Sequence, residues 1–95
     1  MGYTEGVSAD GEFSSSATVT VFDCQRGRLE ATLVGKSASR VSLKLNRRVQ
    51  RVVPLREGAL WRGSVEARPQ AGGICVFELD ADGLVGVRRL SFIRR

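Results

Sequence analysis

Arg40-Val41-Ser42-Leu43-Lys44-Leu45, then Asn46-Arg47, then Arg48-Val49-Gln50-Arg51-Val52-Val53 is the stretch that decides the fold. Its first six residues alternate polar and apolar without a fault. A two-residue period is the signature of a strand with one buried face. The six residues after Asn46-Arg47 are again β-rich. Asn tolerates the positive φ that a two-residue turn between antiparallel strands requires. The segment therefore predicts a tight hairpin. Pro54 has no amide hydrogen to give to a ladder, so the second strand lies at an edge or ends there.

The same period extends in both directions. Thr18-Val19-Thr20-Val21-Phe22 points Thr one way and Val the other. Arg28-Leu29-Glu30-Ala31-Thr32-Leu33 alternates polar with apolar. Residues 59–67 put Trp61, Val65 and Ala67 on one side, and residues 74–79 put Cys75, Phe77 and Leu79 on one face. In the last run Val85 and Val87 share a phase that Leu90 and Phe92 leave, which predicts a β-bulge at Arg88-Arg89. Turn formers separate the runs at 56–58, 69–73 and 80–83. No window of helical length holds a 3.6-residue apolar spacing, and there is no room for the crossovers that parallel strands need. The expected fold is all-β, a seven-stranded antiparallel β-sandwich over residues 17–95, with a small barrel as the alternative closure. Residues 1–16 are mostly Gly, Ser, Glu and Asp, with Tyr3 and Phe13 the large anchors, and read as a disordered tail or linker.

A chain of 95 residues buries only roughly 60–65% of its unfolded surface. A surface site suits it better than a deep catalytic cleft. It has no histidine, which removes the commonest general base and the commonest neutral metal ligand. Cys24 and Cys75 are the only cysteines. An even pair in a small β domain predicts one disulfide, the alternative being two buried thiols packed as small hydrophobes. Two thiolates alone leave a zinc tetrahedron half filled. Asp80 and Asp82 share a Gly-containing turn, but calcium needs six or more oxygens and no further acid follows. No catalytic residue, metal or cofactor is expected, and the chain reads as a non-enzyme.

Seven alternating strands, the distant Cys24 and Cys75 and the apolar-phase Trp61 resemble the immunoglobulin-like and fibronectin type III-like β-sandwich superfamily over residues 17–94. The resemblance is architectural. Immunoglobulin domains carry a Tyr two residues before the second Cys, where this chain has Gly73, and their Trp follows the first Cys closely, whereas Trp61 is nearer Cys75. The resemblance implies a non-catalytic module that mediates protein interaction or spaces neighbouring domains of a larger exported or surface protein. The opening residues 1–6 carry no basic or apolar signal-peptide region. No apolar run approaches the roughly 18 residues a spanning helix needs, so no membrane insertion is expected.

The net charge of +5 rests on 13 Arg and 2 Lys. Lys44, Arg47, Arg48 and Arg51 on the hairpin, with Arg88 and Arg89 near the end, form the candidate site of a second reading, a basic module that binds nucleic acid or an acidic polymer. The same charges on an edge strand would also discourage sheet-to-sheet aggregation. Trp61 is assigned to the core rather than to a sugar platform.

Overall fold

In the computed structural model, residues 2–24, 26–68 and 73–94 are described, and they form nine strands. These are β1 (Gly2–Glu5), β2 (Glu12–Phe13), β3 (Ser16–Phe22), β4 (Gly27–Gly35), β5 (Ser39–Leu45), β6 (Arg48–Leu55), β7 (Leu60–Glu66), β8 (Ile74–Ala81) and β9 (Val85–Arg94). The seven runs read from alternation are β3 to β9. Two antiparallel sheets stack face to face. A five-stranded sheet has the order β1-β3-β8-β5-β6, and a four-stranded sheet the order β2-β9-β4-β7. Among the described residues, no helix is long and apolar enough to cross a membrane.

The alternation translates directly into the layer between the sheets. Ala17, Val19 and Val21 of β3, Cys75, Phe77 and Leu79 of β8, Val41, Leu43 and Leu45 of β5, and Val53 and Leu55 of β6 are buried. They face Leu29, Ala31 and Leu33 of β4, Val65 of β7 and Val85 of β9. Residues between them in sequence point outward and are half-buried or exposed, except Thr20, which β1 flanks and which is buried. At roughly 25 cal/mol per Å² of apolar area, this shared layer is the main term favouring the fold.

The β5–β6 hairpin turns at Asn46-Arg47, with φ of 49° and 74°. Both central residues are left-handed, the type I′ requirement. The Asn46 amide donates to the Val76 carbonyl at 2.8 Å, and its side-chain Oδ1 accepts from the Val76 amide at 3.0 Å. The turn is thus tied to β8 as well. Pro54 sits on β6, an edge strand, as its missing donor requires. The bulge is where the phase slip put it: Thr32 pairs with Arg89 and Leu33 with Val87, which leaves Arg88 as the extra residue. Cys24 and Cys75 form a disulfide, with Cα atoms 5.9 Å apart and both residues fully buried.

One feature differs from the sequence expectation, and a second, the strand order, is one that alternation leaves open. The segment read as a tail, 1–16, contributes β1 along β3 and β2 along β9. Composition fails here because this segment is held by edge backbone hydrogen bonds and only two apolar anchors, Phe13, which is 3% exposed, and Val7, partly buried against the core. The strand order also departs from the immunoglobulin arrangement. Lettering β3 to β9 as A to G gives sheets A-F-C-D and G-B-E, where immunoglobulin domains have ABED and CFG. Chain-successive strands alternate between sheets from β2 onward except at the β5–β6 hairpin. That is jelly-roll winding.

Two outcomes test this account. Replacing both Cys24 and Cys75 with Ala removes a cross-link with a sequence separation of 51, and urea unfolding should show a loss of about 4 kcal/mol. Replacing Arg47 with Gly relieves a left-handed side-chain residue and should raise stability by roughly 0.5–1 kcal/mol in the same measurement.

Candidate ligand-binding site

The outer face of the four-stranded sheet is built by the residues that alternate with its core. On β4 these are Arg28, Glu30, Thr32 and Val34. The register places Glu66, Ser64, Arg62 and Leu60 of β7 beside them on one flank, and Ile93, Ser91, Arg89 and Gly86 of β9 on the other. Two rungs matter most. Arg62–Thr32–Arg89 sets two guanidinium-bearing side chains across a central Thr, and Ser64–Glu30–Ser91 lies beside it. Ala31 and Gly63 pair between these two rungs. The resulting cleft holds about 460 Å³ and is lined by Glu30, Thr32, Arg62, Ser64 and Arg89 with the backbone of Ala31 and Gly63.

Glu30 is positioned before any ligand arrives. Arg28 Nε donates to Glu30 Oε2 at 2.9 Å, and Arg89 Nη2 lies 3.8 Å from Oε1. Arg62 makes no hydrogen bond or ion pair among the described residues. Arg89 offers only a long contact to Ser91 Oγ, 3.4 Å, besides Glu30. The cleft therefore combines a fixed acceptor, two small hydroxyls and guanidinium donors with spare capacity.

A second cleft, of about 400 Å³, opens between edge strands β6 and β7. Gln50, Arg51, Ser64, Val65, Glu66 and Arg68 line it. Ser64 belongs to both clefts, so they are continuous around the edge of the sandwich. Trp61 lies nearby on the inner side of β7. It is half-buried rather than fully enclosed, and the Arg51 guanidinium sits 5.9 Å from its ring centroid. Its indole lies where a side chain on Gly63 would have to go, so Gly63 is the residue that lets the ring lie flat on β7.

The sequence-derived basic residues fall in different places. Arg51 lines the β6–β7 cleft and Arg89 the outer-face cleft. Arg47 and Arg48 are exposed at the hairpin tip, and Arg88 is the exposed bulge residue. Lys44 is engaged elsewhere. On the outer face of the five-stranded sheet its Nζ lies 2.6 Å from Asp80 Oδ2 and 3.7 Å from Glu78 Oε2. Asp82 accepts from the Arg40 amide at 2.8 Å, and that bond holds its carboxyl below the ordinary range. Among the described residues no group of three metal-ligating side chains gathers. Sequence reasoning missed Arg62 and Arg68. Each looked like one more solvated charge, and only the β4–β7 pairing brings Arg62 opposite Arg89.

An aromatic pair also lies outside the core. Tyr3 and Phe22 are 52% and 42% exposed, with ring centroids 6.2 Å apart and planes at 47°. Tilted rings of this kind make a ridge and offer no flat stacking surface.

The sequence matches no known family pattern and no curated protein. A solved structure of TmCBM61 in complex with β-1,4-galactotriose is similar in fold. The alignment covers 99% of this chain and 70% of that one, at 11% identity and a TM-score of 0.58. At that identity the likeness concerns the β-sandwich.

The Lys44 cluster yields a signed expectation. The Asp80 contact raises Lys44 above its ordinary value. Burial pushes Asp80 up, but the Lys44 and Glu78 hydrogen bonds outweigh it and leave its carboxyl lowered, while the Asp80 hydrogen bond raises Glu78. A lowered carboxyl stabilises the fold above its unfolded pKa, and that contribution disappears as pH falls through the folded value. Lys44→Met leaves two carboxylates facing each other, so its unfolding midpoint should drop at neutral pH. The deficit should shrink near pH 4, where one carboxyl protonates. Equal deficits at both pH values would contradict the assignment.

Proposed function

We propose that this domain is a non-catalytic binding module whose ligand is a glycan, held on the outer face of the four-stranded sheet. The supporting observation is the cleft around Thr32, where Glu30, Arg62, Ser64 and Arg89 stand on paired strands with donors and acceptors already set apart. A sugar ring presents neighbouring hydroxyls that both donate and accept. Glu30 supplies acceptors, the guanidinium forks supply donors, and the Thr32 and Ser64 hydroxyls do either. Strand-borne side chains lose little freedom on binding, which preserves affinity in a shallow site. The similar β-sandwich structure with a bound galactotriose agrees with this reading, as does the general use of jelly rolls in lectins.

The buried Cys24–Cys75 disulfide suits an oxidising compartment, so the module belongs to an exported or surface protein, where glycans are met. The broader reading, a module that contacts proteins or spaces domains, remains compatible with the fold, but none of the geometry above selects a protein partner.

The test is a plug. Ser64 stands at the junction of both clefts, and Ser64→Trp adds a bulky side chain that an edge strand accommodates. Titration with soluble oligosaccharides, followed by calorimetry or amide chemical shifts, should show binding that weakens tenfold or more in the variant, about 1.4 kcal/mol. Shifts confined to Tyr3 and Phe22 on the other sheet would move the site there and refute this placement.

A further inference from the structure

The two clefts carry four guanidiniums, and their surroundings leave most of that charge uncompensated. Arg62 and Arg89 flank Thr32, while Arg51 and Arg68 line the groove beyond Ser64. Of the two acids along the track, Glu30 is already held by Arg28 at 2.9 Å. Arg89 approaches Glu30 only at 3.8 Å and keeps 62% of its side chain exposed. Arg51 rests on the Trp61 ring and Arg62 has no ion-pair partner among the described residues. No aromatic ring lines either cleft, so stacking contributes nothing and polar contacts must hold the ligand.

Building on the glycan reading above, we propose that the ligand is an anionic polysaccharide, carboxylated or sulfated, lying across the strands rather than along them. Its path runs from Arg89 over Thr32 to Arg62, past Ser64, and round the edge to Arg51 and Arg68. Strands in a sheet are about 4.8 Å apart, which puts the backbones bearing Arg89 and Arg62 about 10 Å apart. An acidic group on successive or alternate sugars can therefore meet a guanidinium at each end of the rung. Arginine suits this role because its planar fork takes two oxygens of one carboxylate or sulfate and is less strongly hydrated than an ammonium. Glu30 keeps the sites apart: held by Arg28 at the centre of the neighbouring rung, it repels a third acidic group from the space beside Thr32 and accepts hydroxyls there instead. A neutral glycan would leave the guanidiniums with only hydroxyl partners.

The experiment is affinity electrophoresis of the whole chain in gels containing polygalacturonate, fully methyl-esterified polygalacturonate, dextran sulfate, dextran, β-1,4-galactan or single-stranded DNA. The expected result is retardation by polygalacturonate or dextran sulfate, with the first distinguishing carboxylate from sulfate recognition. The esterified and neutral polymers should retard it at least tenfold less. Equal retardation by the esterified polymer or by galactan overturns the anionic assignment and leaves the glycan reading intact. Retardation by single-stranded DNA but by no polysaccharide overturns both. Arg62→Gln combined with Arg89→Gln should weaken binding at least tenfold with an unchanged unfolding midpoint. The equal-charge control, Arg40→Gln with Arg47→Gln on the other sheet, should change it less than twofold. A control that loses as much as the site variant would reveal diffuse charge attraction and refute the track.

Discussion

The antiparallel pairing of the two halves of the chain constrains everything else in this domain. β5 pairs with β6, β4 with β7, β3 with β8 and β2 with β9. The chain is in effect one long ribbon doubled back at Asn46-Arg47 and wrapped so that successive pairs fall in opposite sheets. Each pair brings together residues more distant in sequence than the last, so the entropy of closure rises outward from the turn. The disulfide lies on the third pair out. Cys24 lies two residues past the end of β3, and Cys75 is the β8 residue opposite Val21. It thus braces the ribbon where local turn chemistry no longer helps. The wrapping turns the apolar phase of β2 to β9 into one layer between the sheets, and leaves the polar phase of each sheet facing outward.

This explains which parts of the structure were legible in the sequence. Alternation is a local property, and it located β3 to β9, their inward residues and even the bulge at Arg88, because a phase slip in one strand needs no partner to be seen. The Asn46-Arg47 turn is equally local. Strand order is not local. Two-residue periodicity says which side chains share a face, not which strand lies beside which, and an architectural resemblance carries no neighbour scheme either, so the jelly-roll order is visible only in the fold. β1 and β2 were illegible for another reason. Glu12 pairs with Gly86, and Tyr3 with Thr20, through backbone groups that composition does not report.

The candidate site divides along the same line. Arg51 and Arg89 were visible as basic residues, but nothing in the sequence joined them. Arg62 and Arg68 had no distinguishing signal at all. Their significance arises from β7 pairing with β4, which sets Arg62 across Thr32 from Arg89, and from β7 meeting β6 at the sandwich edge. Conversely Lys44, which the hairpin reading grouped with Arg47, Arg48 and Arg51, faces away from them. Its strand phase was read correctly as polar, but the acids that neutralise it come from β8, some 35 residues further along the chain.

The two outer faces carry similar raw materials and settle them differently. On the five-stranded sheet Lys44 lies between Glu78 and Asp80, and the Arg40 amide caps Asp82. The charges close on one another, and short contacts consume the donors. On the four-stranded sheet Arg28 and Glu30 pair at 2.9 Å, while Arg89 stands 3.8 Å from Glu30 and Arg62 has no ion-pair partner among the described residues. The remaining guanidiniums on that side are held far enough apart by strand spacing that no single acid neutralises two of them closely. A fold gains little from leaving such groups unpaired, since exposed ion pairs contribute at most about 1 kcal/mol, but a binding surface gains donors that need not break an internal bond before meeting a ligand. The asymmetry between the faces, rather than the total of +5, is the feature on which the proposed site rests.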